Sequence, residues 1–168
     1  TLSSSGGSVP LCRGDAAQWS AMEISATHQY PQPPAATFAM LTDPAFLEAV
    51  CVATDPLDYS VYVEGLRTGA RRTMKNHTSI ERFTGPTITV TDEVAWAEAD
   101  GDIRTGLTVV AVEGMPVTLR GTVTLAPAGE GASLTYAGDL TVAIPLLGPA
   151  LERQAAPLLL EALSRQAE

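Results

Sequence analysis

Two runs near the end of the chain alternate cleanly between apolar and polar positions. In the first, Val117, Leu119, Gly121, Val123 and Leu125 share one parity. In the second, Leu134, Tyr136, Gly138, Leu140, Val142 and Ile144 do the same. A period of two predicts strands that bury one face. The proline and glycines of residues 127–131 predict the turn between them. From Gly148-Pro149 the period changes to that of a helix, with Leu151, Ala155, Leu158, Leu159, Ala162 and Leu163 on one side. Pro157 lies inside that helix and predicts a kink or break.

The same patterns recur upstream. Ile24, Ala26, His28 and Tyr30 alternate and stop at the prolines of residues 31–34, which predicts the first strand. Residues 34–41 predict a short helix with Phe38 and Leu41 on one side. Asp43 suits an N-cap and Pro44 the first helical position, so a second short helix follows over residues 45–52. Residues 57–66 read as a strand with Leu57, Tyr59, Val61 and Val63 on one face, and Thr68-Gly69 as a turn. A polar strand over residues 70–77 is expected near a sheet edge, and one helical turn over residues 79–83. Ile88, Val90, Val94 and Trp96 alternate next. Asp100-Gly101 predicts a tight hairpin into a strand over residues 103–112. The total is about seven strands joined by short turns, hence an antiparallel sheet.

Residues 1–21 are rich in Ser, Gly and Ala and show no period. The reading is therefore an extension over 1–21 and a single domain over 22–168. The net charge of −9, with Lys75 the only lysine, argues against nucleic acid as main partner, because phosphate binding needs a basic stripe. No apolar run approaches 18 residues, and the first residues lack the pattern of a signal peptide, so a cytoplasmic protein without integral membrane association is expected. In a reducing compartment Cys12 and Cys51 read as free thiols, with a disulfide between them as the alternative. His28 and His77 are far apart, with no Cys or carboxylate at ligand spacing, and the sequence calls for no metal or cofactor.

The stretch Val117-Thr-Leu-Arg-Gly-Thr-Val-Thr-Leu-Ala-Pro127, then Gly131, Leu140-Thr-Val-Ala-Ile-Pro-Leu-Leu-Gly148 and Leu151-Glu152, resembles an uncharacterised actinobacterial family, DUF2505. That family lies in the START/Bet v 1-like (SRPBCC) superfamily. The resemblance covers about residues 22–168. It implies an α+β helix-grip fold: a curved antiparallel sheet of about six or seven strands wrapped around a long C-terminal helix, with two short helices after the first strand. It also implies an apolar cavity between sheet and helix. Some members of the superfamily are cyclases or hydrolases, and many only bind.

Parity and resemblance together put Tyr59, Val61, Trp96, Leu107, Val109, Leu119, Gly121, Tyr136, Gly138 and Leu140 on the concave face. Leu151 and Leu159 face them from the helix. These twelve are the expected ligand-binding residues. Gly121 and Gly138 either make room for a ligand or simply allow the sheet to bend. Trp96 and Tyr136 combine apolar bulk with a polar tip. Asp92 falls on the inward parity and becomes the best acid/base candidate if it is buried beside His28 or an arginine. Arg72, Arg104 and Arg120 are expected to point outward. The first expectation is binding of a hydrophobic small molecule or lipid in a cavity above about 300 Å³. A cyclase- or aromatase-like enzyme using His28, Tyr59 or Asp92 is the alternative, and a homodimeric interaction protein a third. No catalytic residue is assigned.

Overall fold

The computed structural model describes residues 21–78, 81 and 85–143. Strand β1 spans Ala21–Tyr30, followed by helices α1, Pro34–Leu41, and α2, Pro44–Ala53. Six further strands follow: β2 Asp58–Glu64, β3 Arg67–Lys75, β4 Thr87–Trp96, β5 Arg104–Val112, β6 Val117–Ala128 and β7 Gly131–Val142. They form one seven-stranded sheet in the order β1-β7-β6-β5-β4-β3-β2, with every neighbouring pair antiparallel. The expected strand count, the antiparallel sheet and the tandem short helices are therefore present. The expected C-terminal helix, with Leu151, Pro157 and Leu159, lies outside the described residues. So do the extension over residues 1–20, Cys12 and most of the helical turn expected at 79–83.

The helices start where their chemistry places them. Asp43 Oδ1 accepts a hydrogen bond from the Ala45 amide at 2.8 Å, and Pro44 fills the first helical position, where a missing N–H costs nothing. Thr37, fully buried in α1, donates to the Gln32 carbonyl at 3.1 Å. Both helices lie on one face of the sheet, the inner face. There Phe38 meets Trp96 edge to face, with ring centroids 5.4 Å apart.

Register then decides which side chains share that face. Tyr136, Val123, Gly106 and Trp96 form one row across β7, β6, β5 and β4. Gly138, Gly121, Thr108, Val94 and Thr68 form the next, and Leu140, Leu119, Val110, Asp92, Ala70 and Val61 the one after. The main core cluster gathers Trp96, Val123, Leu125, Ala132 and Leu134 under Phe38 and Leu41. A second cluster joins Ile24, Leu119 and Leu140. The Gly121–Gly138 row runs between Val123 and Tyr136 on one side and Leu119 and Leu140 on the other.

Several expectations are corrected by this register. Leu107 and Val109 lie on the outer face, opposite Ala95 and Glu93, and Leu107 is 65% exposed. The inward set on β5 is Gly106, Thr108 and Val110. Apolar residues occupy both parities of this strand, so hydrophobicity alone mis-assigned its faces, while the hairpin at Asp100-Gly101 fixed the pairing. Arg72 points inward rather than out. Arg71 and Arg72 are adjacent on a strand, so they cannot share a face. Arg71 takes the outer side and forms a bidentate pair with Glu113 at 2.6 and 2.9 Å. Arg104 also turns to the inner side, with its guanidinium carbon 3.8 Å from the Phe38 ring centroid. The expected turn at Thr68-Gly69 lies instead at Gly65-Leu66, where Gly65 adopts a φ of 59°. Gly69 sits inside β3 because the Tyr62 ring covers it: a Cβ there would stand 2.3 Å from Tyr62 Cε1. The turn expected over residues 127–131 narrows to Gly129-Glu130, since β6 and β7 stay paired out to Ala128 and Gly131.

Gly121 and Gly138 face each other at close range. A Cβ on Gly121 would meet the Ala137 carbonyl oxygen at 2.2 Å and Gly138 Cα at 2.6 Å, while one on Gly138 would meet the Arg120 carbonyl oxygen at 2.5 Å. The obstacles are backbone atoms, which cannot rotate away. Close backbone approach, which differs from both readings given above, explains this pair without invoking a ligand. Gly121→Ala is expected to destabilise the fold by about 1–3 kcal/mol. Urea melts should show it losing far more stability than Thr122→Ala on the exposed face of the same strand; equal losses contradict the close approach.

Candidate functional site

The site is a cleft between α2 and the β3–β4 half of the inner face. Leu41, Phe46, Leu47, Val50 and Cys51 come from the helical side. Thr68, Ala70 and Arg72 on β3, Asp92, Val94 and Trp96 on β4, and Tyr136 on β7 form the opposite wall. The enclosed volume is about 50 Å³. That falls well below the expected value and leaves space for a few waters only.

An ion pair lies in this mostly apolar wall. The Arg72 side chain donates through Nη2 to Asp92 Oδ2. Arg72 is 5% exposed, while the Asp92 side chain retains 24% of its surface. The pairing follows from sequence position: Ala70 stands opposite Asp92, so Arg72 is its diagonal neighbour on the same face. Burial pushes the Asp92 carboxyl above its ordinary range, and the Arg72 guanidinium pulls against that shift. Arg72 Nε is buried and has no hydrogen-bond partner among the described residues; the same holds for Trp96 Nε1. Cys51 is almost fully buried and free, and burial raises its thiol pKa, so it is present as the unreactive thiol. Burial also raises the Tyr136 hydroxyl, which stays protonated.

Of the expected ligand-binding residues, Trp96 and Tyr136 line this cleft. Leu119 and Leu140 are core, and Gly121 and Gly138 are consumed by the strand contact. Tyr59 and Val61 share the inner face on edge strand β2, with Tyr59 opposite Arg72 and partly exposed. His28 is buried on β1, edge-on to Tyr136 with ring centroids 6.2 Å apart, and belongs to the core side of that tyrosine rather than to the cleft wall. Asp92 does meet its condition, since it lies beside an arginine. The sequence reading missed the helical wall and Arg72. The Arg71-Arg72 doublet held the signal for the latter, because strand alternation forces one of the two inward.

Comparison with known proteins identifies the chain. Residues 25–168 match the family described as "Protein of unknown function (DUF2505)". The chain belongs to the DUF2505 family. Solved structures with the same fold include TTHA0849 from Thermus thermophilus, at 19% identity and a TM-score of 0.59, covering 86% of this chain and 91% of that one. Human STARD10 follows at 9% identity and a TM-score of 0.55, covering 86% of this chain and 61% of its own. A STAR-related lipid transfer protein (fragment 25–204) from Xanthomonas axonopodis aligns at 13% identity and a TM-score of 0.50, covering 86% and 85%. No curated protein matches the sequence. This DUF2505 chain thus has a START/Bet v 1-like fold. Among the described residues, no single helix is long and apolar enough to cross a membrane, and no group of three or more His, Cys, Asp or Glu is placed to hold a metal.

His28 gives the site's surroundings a pH dependence. Its Nε2 is buried without a partner, and desolvation lowers its pKa below the ordinary 6.5. A depressed folded-state pKa means the unfolded chain binds the proton more readily. The contribution of neutral His28 is therefore fully present above pH 6.5 and is lost as pH falls through the folded value. Urea melts at pH 7.5 and 5.5 should show a larger acid loss in the wild type than in His28→Gln. An equal loss in both would show that His28 is already solvated.

Proposed function

We propose that the protein binds a small hydrophobic molecule or lipid in the cleft between α2 and strands β3 and β4. The observation that carries this reading is an apolar-walled cavity into which a few polar groups converge, the usual build of a ligand site. The fold supports it as well, and the similar Xanthomonas protein is named as a lipid transfer protein. A guest larger than the present volume enters by displacement of α2. Cys51 is the only fully buried residue of that helix, Phe46, Leu47 and Val50 are half-buried, and Thr42-Asp43 separate α2 from α1. An element anchored by so little buried surface opens at low cost.

A second reading, a cyclase- or aromatase-like enzyme, is favoured by Asp92 alone. A carboxyl with a raised pKa next to a guanidinium in a narrow cleft is equipped to hand a proton to a bound ligand. In that case Asp92→Asn retains binding and abolishes turnover.

Native mass spectrometry against a panel of fatty acids, sterols and aromatic ketones should reveal one-to-one adducts. A ligand at about 100 times its Kd stabilises the fold by about 2.7 kcal/mol, which raises Tm by about 5–10 °C. Ala70→Leu, which fills the cleft, should abolish both effects while leaving the far-ultraviolet spectrum unchanged. Adducts that survive Ala70→Leu place the ligand elsewhere, and no adduct across the panel overturns the reading.

A further inference from the structure

Arg72 holds one hydrogen-bonding group in reserve. Its Nη2 is committed to Asp92, yet Nε is buried and without a partner among the described residues, and Arg72 lines the cleft. Such a donor gains on meeting an acceptor, because leaving it unmade costs its full desolvation. The chain lines the rest of the cleft mainly with apolar groups, and Asp92 is the nearby acceptor already used. On the same strand as Asp92, and four residues along it, Trp96 presents a second buried N–H without a partner. Both orphaned groups are donors, so the complementary guest supplies acceptors.

Charge then narrows the choice. Arg72 and Asp92 neutralise each other within the cleft. A carboxylate guest would bring a second negative charge close to Asp92 in a poorly solvated space, which costs free energy unless a proton is taken up. A neutral carbonyl oxygen accepts from Nε with no such conflict. Resting on the ligand-binding reading above, we infer that the cleft selects uncharged apolar molecules carrying a carbonyl group, such as long-chain ketones or esters, with Arg72 as the anchor of the carbonyl oxygen. Asp92 is the positioning residue: by holding Nη2 it fixes the guanidinium beside the cleft.

The test uses guests of one length and four chemistries: 2-decanone, methyl decanoate, decanoic acid and decane, titrated calorimetrically into the full chain at pH 7.5. A hydrogen bond from a charged donor predicts at least tenfold tighter binding of the ketone and the ester than of decane. Decanoic acid should also bind at least tenfold more weakly than its ester. The double variant Arg72→Met with Asp92→Leu removes the pair without leaving a buried charge alone. It should bind decane as the wild type does and lose the preference for ketone. If that variant fails to fold by its thermal melt, Arg72→Gln with Asp92→Asn serves in its place. Equal binding of ketone and decane overturns the anchor and leaves the apolar cleft standing. Preferred binding of decanoic acid overturns the choice of a neutral guest, and a ketone preference that persists in the variant overturns the role of Arg72. Failure of all four guests to bind while the panel above still gives adducts overturns the choice of guest, and failure in both experiments removes the ligand-binding reading itself.

Discussion

The contact between Gly121 and Gly138 sets the sheet from which the site is built. Backbone atoms of β6 and β7 approach so closely there that a Cβ on either strand would collide with a carbonyl oxygen. A register slip would bring a side chain into that contact, so the glycines admit one pairing and penalise its neighbours. From that pairing the assignment passes strand to strand. Val123 faces Tyr136, Gly106 faces Val123, Trp96 faces Gly106, and so to β3, where Arg72 and Ala70 turn inward. The site's chemistry is thus inherited from a contact that contains no functional group.

The cleft combines two features that rarely coexist without purpose. Its helical wall is weakly anchored, with Cys51 alone fully buried, while the sheet wall carries a buried ion pair. Buried ion pairs bring little net stability, since the desolvation of both partners offsets their attraction. Here the pair also leaves one donor unpartnered, which a purely structural role would not require. A closed volume of about 50 Å³ fits a resting state from which α2 must move to admit a guest.

Much of the fold was legible in the sequence. The alternation of β1, β4, β6 and β7, the Asp43 cap of α2, the prolines that open α1 and α2, and the Asp100-Gly101 hairpin all state their structures locally. The same local signals misled where two strand faces carried equal hydrophobicity, as with Leu107 and Val109 on β5. They also misled where a glycine served an aromatic neighbour rather than a turn, as Gly69 serves Tyr62. The site was only half legible. Trp96, Tyr136 and Asp92 could be placed by parity, but Leu47, Val50 and Cys51 reach the cleft through the packing of α2 on the sheet. Their spacing marks one face of the helix, but the part of the sheet on which that face packs is a tertiary fact. Arg72 could have been read from the arginine doublet alone.

The account stands on α2 moving to let a neutral apolar guest reach the β3–β4 wall. Amide hydrogen exchange of the full chain with and without 2-decanone tests this most directly. Without the ketone, amides of Pro44–Ala53 should exchange faster than those of β3 and β4, and saturation with ketone should slow the helix amides selectively. Ketone binding that leaves α2 exchange unchanged, or that protects only the outer face around Leu107, would contradict it.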